Sequence, residues 1–513
     1  MNNYDAIVIG GGLLGCFAAR SLTRYNMKVA MLEKREDLCT GISRANSAII
    51  YSGCDTKPGS LKTDLCVRAS QDFSRLCSEL GVRYFKCGSI MVSFGSRGDD
   101  VLRRKLEQGT KNGVRDMKLL TGVQVLELEP NLASHVSGGL FIPETGTVMP
   151  WELCLAAAEN AALNGADIRL NTEVVDIRRV GIGVEPNSFN EGRAASNDSD
   201  AQSLSPGYCI ETNNGIFHAH AIVNCAGMNA DHILGLTSAP TVKIVPTAGD
   251  YYILDTKAAG HIRHVIFHEP EIKGKGLTMV PTVEGNILVG PTDRPMTGEY
   301  ETEKEGLDQI SELVSEVIPS LPMDQIISYF GAVRPNPFIQ LQNESGQWER
   351  QDRSVNDLCI VESDCGSMIS LVGIKTPGLT CSNEIGEYVA LKISSALEAG
   401  LNPGFNPKRE APLRVEELEP FELCELIRSR PEYGRIVCRC RGISEGEVVD
   451  AIRRSPGAVS LDGVKRRTGS DTGRCQGSFC SGRIIEILAR ELGVSVNEIT
   501  KRGGESGILF DRI

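Results

Sequence analysis

The stretch YDAIVIGGGLLGCFAARSLTRYNMKVAMLEK, residues 4–34, constrains the chain more than any other. Asp5–Ile9 reads as a short buried strand, Leu14–Tyr25 has the apolar spacing of a helix, and Val29–Leu32 reads as a second strand closed by Glu33. Gly10, Gly12 and Gly15 form G-x-G-x-x-G between the first strand and the helix. Each has a mechanical job: Gly10 permits the tight turn, Gly12 lets the backbone approach a pyrophosphate, and Gly15 lets helix and strand pack closely. The phosphates then meet the free N–H groups of the helix N-terminus. Glu33 stands where a carboxylate can accept hydrogen bonds from ribose hydroxyls. A glycine-rich turn alone is weak evidence; the order strand, turn, helix, strand, acid makes it a dinucleotide site in a Rossmann-type α/β domain, without dividing NAD from FAD.

Charge and cysteine usage narrow the class further. A net charge of −12 offers no basic field for a phosphate backbone, so a nucleic-acid partner is not expected. The opening MNNYDAIVIGGG has no basic region followed by an apolar run and a cleavage site, and no apolar run reaches the roughly eighteen residues of a membrane helix. The expectation is a cytoplasmic chain, with no transmembrane segment, that meets the inner membrane only through a partner. Of the 17 cysteines, those such as Cys16, Cys154 and Cys225 lie in apolar runs, where a thiol is a small hydrophobe.

The residues after the fingerprint separate the two cofactors. CTGISRANSAIIYSGCDTKPGSLKTDLC, residues 39–66, resembles a segment of FAD-dependent oxidoreductases of the D-amino-acid oxidase and glycerol-3-phosphate dehydrogenase superfamily. The P-G-S-L-K element is similar to the branch that holds L-2-hydroxyglutarate and bacterial glycerol-3-phosphate dehydrogenases. The likeness continues in GTVMPWELCLAAAENAALNGADIRLNTEVVDI (146–177), AIVNCAGMNAD (221–231), GNILVGPTDRP (285–295), FGAVRPNP (330–337) and LVGIKTPGLTCSNEIGEYVA (371–390). It implies FAD held by Arg44, Asn46 and Ser47, by the Val174 backbone at the adenine, by the Ala226–Gly227 turn, and by a loop with Gly373, Gly378, Leu379 and Thr380 around the isoalloxazine. A helix N-terminus after Pro377–Gly378 would favour negative charge on a reduced flavin.

The same resemblance implies oxidation of a C–H next to oxygen or nitrogen, with hydride passing to the flavin while a base takes the heteroatom's proton. A small anionic substrate needs a cationic clamp, and the planar fork of arginine matches carboxylate or phosphate. Arg334 is the expected clamp. Lys375 could bind the anion or the flavin, or act as base if burial depresses its pKa. Relatives commonly carry histidine where this chain has Tyr51; a tyrosine is protonated at neutral pH and suits a hydrogen-bond donor better than a base. Of the seven histidines, including His264 and His268, none is singled out as base.

Composition changes twice. VEPNSFNEGRAASNDSDAQSLSP, between Gly181 and Pro206, reads as a surface insertion between two strands. LNPGFNPKREAPLRVEELEP, 401–420, reads as the start of a linker. Beyond it, Ser444 can cap a helix through Val448 and Ile452, and Gly482–Leu492 has helical apolar spacing. Cys438 and Cys440 lie in one helix-end loop and Cys475 and Cys480 in another, which makes the four a metal site. Zinc and [2Fe-2S] both accept four thiolates, although C-x-C is uncommon for zinc. The segment, with its V-K-R-R-T and G-R-C-Q-G-x-F-C elements, resembles a bacterioferritin-associated-ferredoxin-like (BFD-like) [2Fe-2S] domain. Lys465, Arg466 and Arg467 could offset the charge of a cluster or dock a partner.

The expected architecture is α/β: a Rossmann-type FAD-binding domain (about 1–80, 145–235 and 340–400) interleaved with an α+β substrate domain (about 81–144 and 236–339), then a linker (401–430) and a small helical [2Fe-2S] domain (431–513). The expected activity is dehydrogenation of a small 2-hydroxy anion, glycerol 3-phosphate first, with electrons leaving through the cluster to a partner subunit, a second flavoprotein or a quinone-linked component. L-2-Hydroxyglutarate dehydrogenase, an amine or amino-acid dehydrogenase of proline or opine type, and a non-catalytic electron-transfer subunit stay open as alternatives.

Overall fold

In the computed structural model, which describes residues 2–181, 207–268, 276–296, 301–343, 345–363 and 366–509, the first apolar run is the strand β1, Asn2–Ile9. It lies between β2 (Val29–Leu32) and a long strand, Gly215–Asn224, which it meets from Phe217 to Asn224, and is parallel to both. With β3 (Asp167–Arg169), β4 (Val174–Val180), β5 (Gly207–Thr212) and β6 (Gly215–Asn224), the order is β4-β5-β6-β1-β2-β3, and Met368–Leu371 pairs in parallel with the end of β6. Ala6, Ile7 and Val8 are wholly buried, as a strand covered on both faces requires.

Helix α1, Leu13–Leu22, stops short of the expected Tyr25: the Arg24 and Tyr25 N–H groups donate three residues back, to the carbonyls of Ser21 and Leu22 at 3.2 and 3.0 Å, instead of four. It packs with α2 (Leu61–Leu80), α3 (Pro150–Leu163) and α4 (Ser382–Ala396) in one core that buries Phe17, Phe73 and Ile385. A second, mainly antiparallel sheet is built on β7 (Val242–Leu254) and β8 (Ile326–Gln342), and strands from Ser89–Ser93 and Gly138–Ile142 join it. Residues 89–142 and 242–354 therefore share one sheet, and the first sheet takes its strands from either side of them. The expected insertion at 181–206 lies, apart from Gly181, outside the described residues.

The segment expected as a linker is tied down along its length. The Asn402 N–H donates to the Arg24 carbonyl at 2.8 Å, the Arg409 N–H to the Glu79 carbonyl at 2.9 Å, and the buried Arg409 side chain pairs with Glu159 at 2.7 Å. Helix α5, Pro420–Ser429, comes next. These anchors compensate for the prolines, which leave the backbone short of its own hydrogen bonds.

The C-terminal module holds α6 (Glu445–Arg453), α7 (Leu461–Thr468) and α8 (Ser481–Leu492) around Val448, Val464, Ile484 and Leu488. Ser444 caps α6 as expected, in a reciprocal capping box with Glu447. The Lys465–Arg467 run is neither at the cysteines nor free for a partner. Arg466 and Arg467 reach a fully buried Asp37 at 2.5 and 2.8 Å, and the Lys465 ammonium lies 6.0 Å from the centre of the Trp151 ring. They hold the module to the first domain. Arg454 pairs with Glu159 at 2.8 Å, and Arg474 with Asp255 at 3.2 Å, so the module touches both larger domains. Among the described residues no helix is long and apolar enough to cross a membrane.

Candidate functional site

The fingerprint turn behaves mechanically as its spacing predicts. Gly10 has φ +106°, and a Cβ there would lie 2.5 Å from the Cys225 carbonyl oxygen; a Cβ on Gly15 would lie 1.8 Å from the Gly10 carbonyl oxygen. Both positions therefore require glycine. Gly12 is the N-cap of α1 and faces a cavity of about 1610 Å³. That volume exceeds the roughly 300–1,000 Å³ of ordinary small-ligand pockets and has room for a dinucleotide with a small substrate beside it.

One end of the cavity is formed by Gly10, Gly12, Glu33 and Val174. The buried Glu33 carboxylate accepts from the Gly11 N–H at 2.6 Å and the Arg35 N–H at 2.9 Å. Burial nevertheless raises its pKa, outweighing those two bonds. Beside it, Arg44 closes a short turn, Ile42–Arg44, and Asn46 and Ser47 come just after that turn. The Trp151 indole N–H holds this turn by donating to the Arg44 carbonyl at 2.7 Å. Ala226 and Gly227 line the cavity beside Gly10, and Gly378 and Leu379 line it from the turn that leads into α4. These groups could hold an FAD: oxygen acceptors for ribose, a helix N-terminus for pyrophosphate, and backbone for the ring.

Three expected cofactor residues are not in the wall. Gly15 packs helix against strand, as expected of it. Gly373, at φ +65°, is wedged against Pro335 and Pro337, where a Cβ would come within 2.7 Å of the Pro335 carbonyl oxygen. Thr380 is wholly buried, and its hydroxyl accepts from the Tyr51 N–H at 2.9 Å. Gly373 and Thr380 therefore shape the loop and position its neighbours, a distinction that spacing along a chain does not carry.

The other end of the cavity brings Tyr51, Arg334 and Lys375 together. The Arg334 guanidinium donates to the carbonyls of Ala248 and Thr292 at 3.2 and 2.9 Å and pairs with Asp293 at 3.1 Å. It is a fixed fork. The Lys375 ammonium donates to Asn336 Oδ1 at 3.0 Å and to Ser354 Oγ at 3.4 Å. Burial, then the charge of Lys62 and Arg334, lowers its pKa. Burial drives Tyr51 the other way, up to about 12, so it keeps its proton; its hydroxyl lies 3.4 Å from Ser47 Oγ.

Lys62 is the cation that sequence reasoning missed. It lines the same end, its ammonium donates to the Asn356 carbonyl, and burial lowers its pKa. A signal was present, since Lys62 is the second residue of α2, where the helix dipole disfavours positive charge. His264 is removed from the chemistry: its Nδ1 is 2.7 Å from the buried Glu129 carboxylate, which also takes two backbone N–H groups.

In the C-terminal module Cys438 closes a short strand, Ile436–Cys438, rather than lying in a loop, and Cys480 is the N-cap of α8. Cys438 and Cys440 are 3.9 Å apart, Cys440 and Cys475 3.7 Å. The neighbouring Cys480 thiol lowers the pKa of Cys438 and so favours its thiolate, the form that binds metal, while the Cys480 thiol itself donates to Asp471 Oδ1 at 2.8 Å. The contacts thus run in a row from Cys480 through Cys438 and Cys440 to Cys475. The row suits two irons that share four thiolates.

Comparison with known proteins agrees with both halves. Residues 5–391 match the family described as FAD dependent oxidoreductase, and residues 436–490 match the BFD-like [2Fe-2S] binding domain. Over 511 residues, 99% of this chain and 98% of the relative, the sequence is 38% identical to a glycerol 3-phosphate dehydrogenase of Caloramator mitchellensis. A mitochondrial L-2-hydroxyglutarate dehydrogenase of Nematostella vectensis is 28% identical over 56% of this chain and 62% of its own length. Among solved structures, the dithionite-reduced L-alpha-glycerophosphate oxidase of Mycoplasma pneumoniae with FAD bound superposes with a TM-score of 0.68 at 25% identity, covering 81% of this chain and all of that one.

Proposed function

The chain belongs to the FAD dependent oxidoreductase family and carries a BFD-like [2Fe-2S] domain behind it, and from that premise we propose that it oxidises glycerol 3-phosphate to dihydroxyacetone phosphate. The observation that carries this reading is that two cations, Lys62 and Arg334, line the same end of the cavity as Lys375. A phosphate dianion needs more than one cation, and the near-complete match to a glycerol 3-phosphate dehydrogenase supports the same substrate. In this reading residues 81–144 and 236–339 form the substrate domain, and 431–513 the [2Fe-2S] domain.

Arg334 and Lys62 hold the phosphate, and Tyr51, protonated throughout the physiological range, donates a hydrogen bond to substrate or cofactor. Lys375 accepts the hydroxyl proton as the C–H electron pair leaves and the carbonyl forms. When bound, FAD supplies the two-electron acceptor and the cluster a one-electron route out. Cys440 is exposed and Phe479, beside Cys480, is 82% exposed, so an acceptor protein can reach the cluster. That acceptor is a second flavoprotein or a quinone-linked component at the inner membrane, and the chain itself is cytoplasmic.

The test is an anaerobic visible spectrum of the purified protein before and after addition of glycerol 3-phosphate. Rapid loss of the flavin bands, then slower bleaching of the cluster, is the expected result. A flavin that stays oxidised with glycerol 3-phosphate and bleaches with L-2-hydroxyglutarate would transfer the assignment to the second substrate.

The role of Lys375 has its own signature. Only the neutral amine accepts a proton, so kcat/KM for glycerol 3-phosphate is expected to rise with pH through a pKa below the ordinary 10.5 of lysine. Lys375→Arg should lose that rising limb while the flavin stays bound. A profile unchanged in the variant would remove Lys375 as base.

A further inference from the structure

The flavin cavity is not walled by the oxidoreductase domains alone. Arg466 of α7 and the turn Arg502–Ser506, both in the C-terminal module, line it together with Glu33 and Glu36. We propose that the [2Fe-2S] module is itself part of the FAD-binding site, closing the adenosine end of the cavity so that the dinucleotide is held between the module and the first domain.

The contact is close and preorganised. A Cβ on Gly503, which has φ +76°, would lie 2.5 Å from the Glu36 carboxylate, so the two chains of atoms meet with no space between them. The turn is closed on itself: the Lys501 N–H donates to the Ser506 carbonyl at 2.8 Å, the Arg502 N–H to Ser506 Oγ at 2.9 Å, and the Gly503 N–H to Thr500 Oγ1 at 2.9 Å. Arg466 is held by Asp37, the neighbour of Glu36 in sequence, so the acid side and the basic side of this end are fastened together.

Charged side chains line this end of the cavity, the acids Glu33 and Glu36 together with the base Arg466. The adenosine diphosphate half of FAD presents the complementary groups, hydroxyl and amino donors for carboxylates and a dianionic diphosphate for arginines. Arg502 adds an exposed cation on the turn. Retention of FAD then depends on the module, although every fingerprint residue lies more than four hundred positions earlier in the chain.

The proposal rests on the FAD assignment and not on the substrate. The experiment uses the full-length, cluster-loaded protein and measures the rate of FAD release, by ultrafiltration after dilution, for Arg502→Glu and separately for Gly503→Val. Arg502 is exposed, so its reversal leaves the core intact; iron content and circular dichroism check this for both variants. Each is expected to release FAD on the order of tenfold faster than the parent, Arg502→Glu by losing a charge-assisted contact and Gly503→Val by driving its side chain against Glu36 and displacing the turn. Release within twofold of the parent in both folded variants would overturn the proposal. If the variants leak FAD and the parent is not reduced by glycerol 3-phosphate, the module's role stands and the substrate assignment falls.

Discussion

Arg334→Ala is expected to lower kcat/KM for glycerol 3-phosphate by about a hundredfold to a thousandfold, while FAD stays bound. Three acceptors hold the guanidinium before any substrate arrives: the carbonyls of Ala248 and Thr292 and the Asp293 carboxylate. The fork therefore needs no reorganisation to receive an anion. Its backbone is equally fixed, because Arg334 pairs with Thr247 in the long β7–β8 ladder. Arg334→Lys separates charge from geometry. A lysine keeps the positive charge but cannot reproduce the planar fork, so it should recover only part of the loss, and mostly in KM. Steady-state rates with an artificial acceptor, alongside the flavin absorbance of each variant, measure both effects. If Arg334→Ala turned over at the parental rate with glycerol 3-phosphate and with L-2-hydroxyglutarate, the clamp would lie elsewhere.

Asp37→Ala should weaken docking of the C-terminal module by about 3–5 kcal/mol, the cost of leaving buried arginines without their counter-charge. Asp37 is fully buried between Arg466 and Arg467, whose own side chains are 6% and 4% exposed. Burial alone would raise the Asp37 pKa; the charges and hydrogen bonds of Arg467 and Arg466 overcome it and hold the carboxyl at about 2, against an ordinary 3.8. That depression fixes the sign. The docked state binds the proton less readily than the undocked one, so this stabilisation is complete above an ordinary carboxyl pKa and is lost as pH falls through the docked one. The Tm difference between the parent and Asp37→Asn should therefore be constant above about pH 4 and shrink towards pH 2, as those two values require. Because the pair is buried, added salt should change the difference little. A difference that disappeared in molar salt, or that had already faded above pH 5, would show that the pair is not the fastening.

The two cases differ in how far they could be read from the chain. Arg334 was singled out because G-A-V-R-P carries a family likeness and because chemistry asks for a fork at an anion, and the fold places it in the cavity wall. The Lys465–Arg467 run resembled an exposed basic turn, since its counter-charge, Asp37, lies 429 and 430 positions from the two arginines that reach it. No local pattern records a pairing at that separation. Lys62 stands in plain view in the P-G-S-L-K element, yet only the fold brings it near enough to Lys375 to lower that lysine's pKa.

By itself the sequence determined what depends on neighbours along the chain: the fingerprint turn with its obligatory Gly10 and Gly15, the capping of α6 by Ser444, and the four thiols in two close pairs. Turns, caps and short ligand spacings obey local sterics and hydrogen bonding, which a few consecutive residues settle. Only the tertiary structure decided which cations face one another, that Gly373 and Thr380 support the flavin loop from behind, and that the Arg502–Ser506 turn closes a cavity begun at Gly10. Those outcomes depend on burial and on charge pairs between distant segments, and both come into being only when the sheets and helices pack.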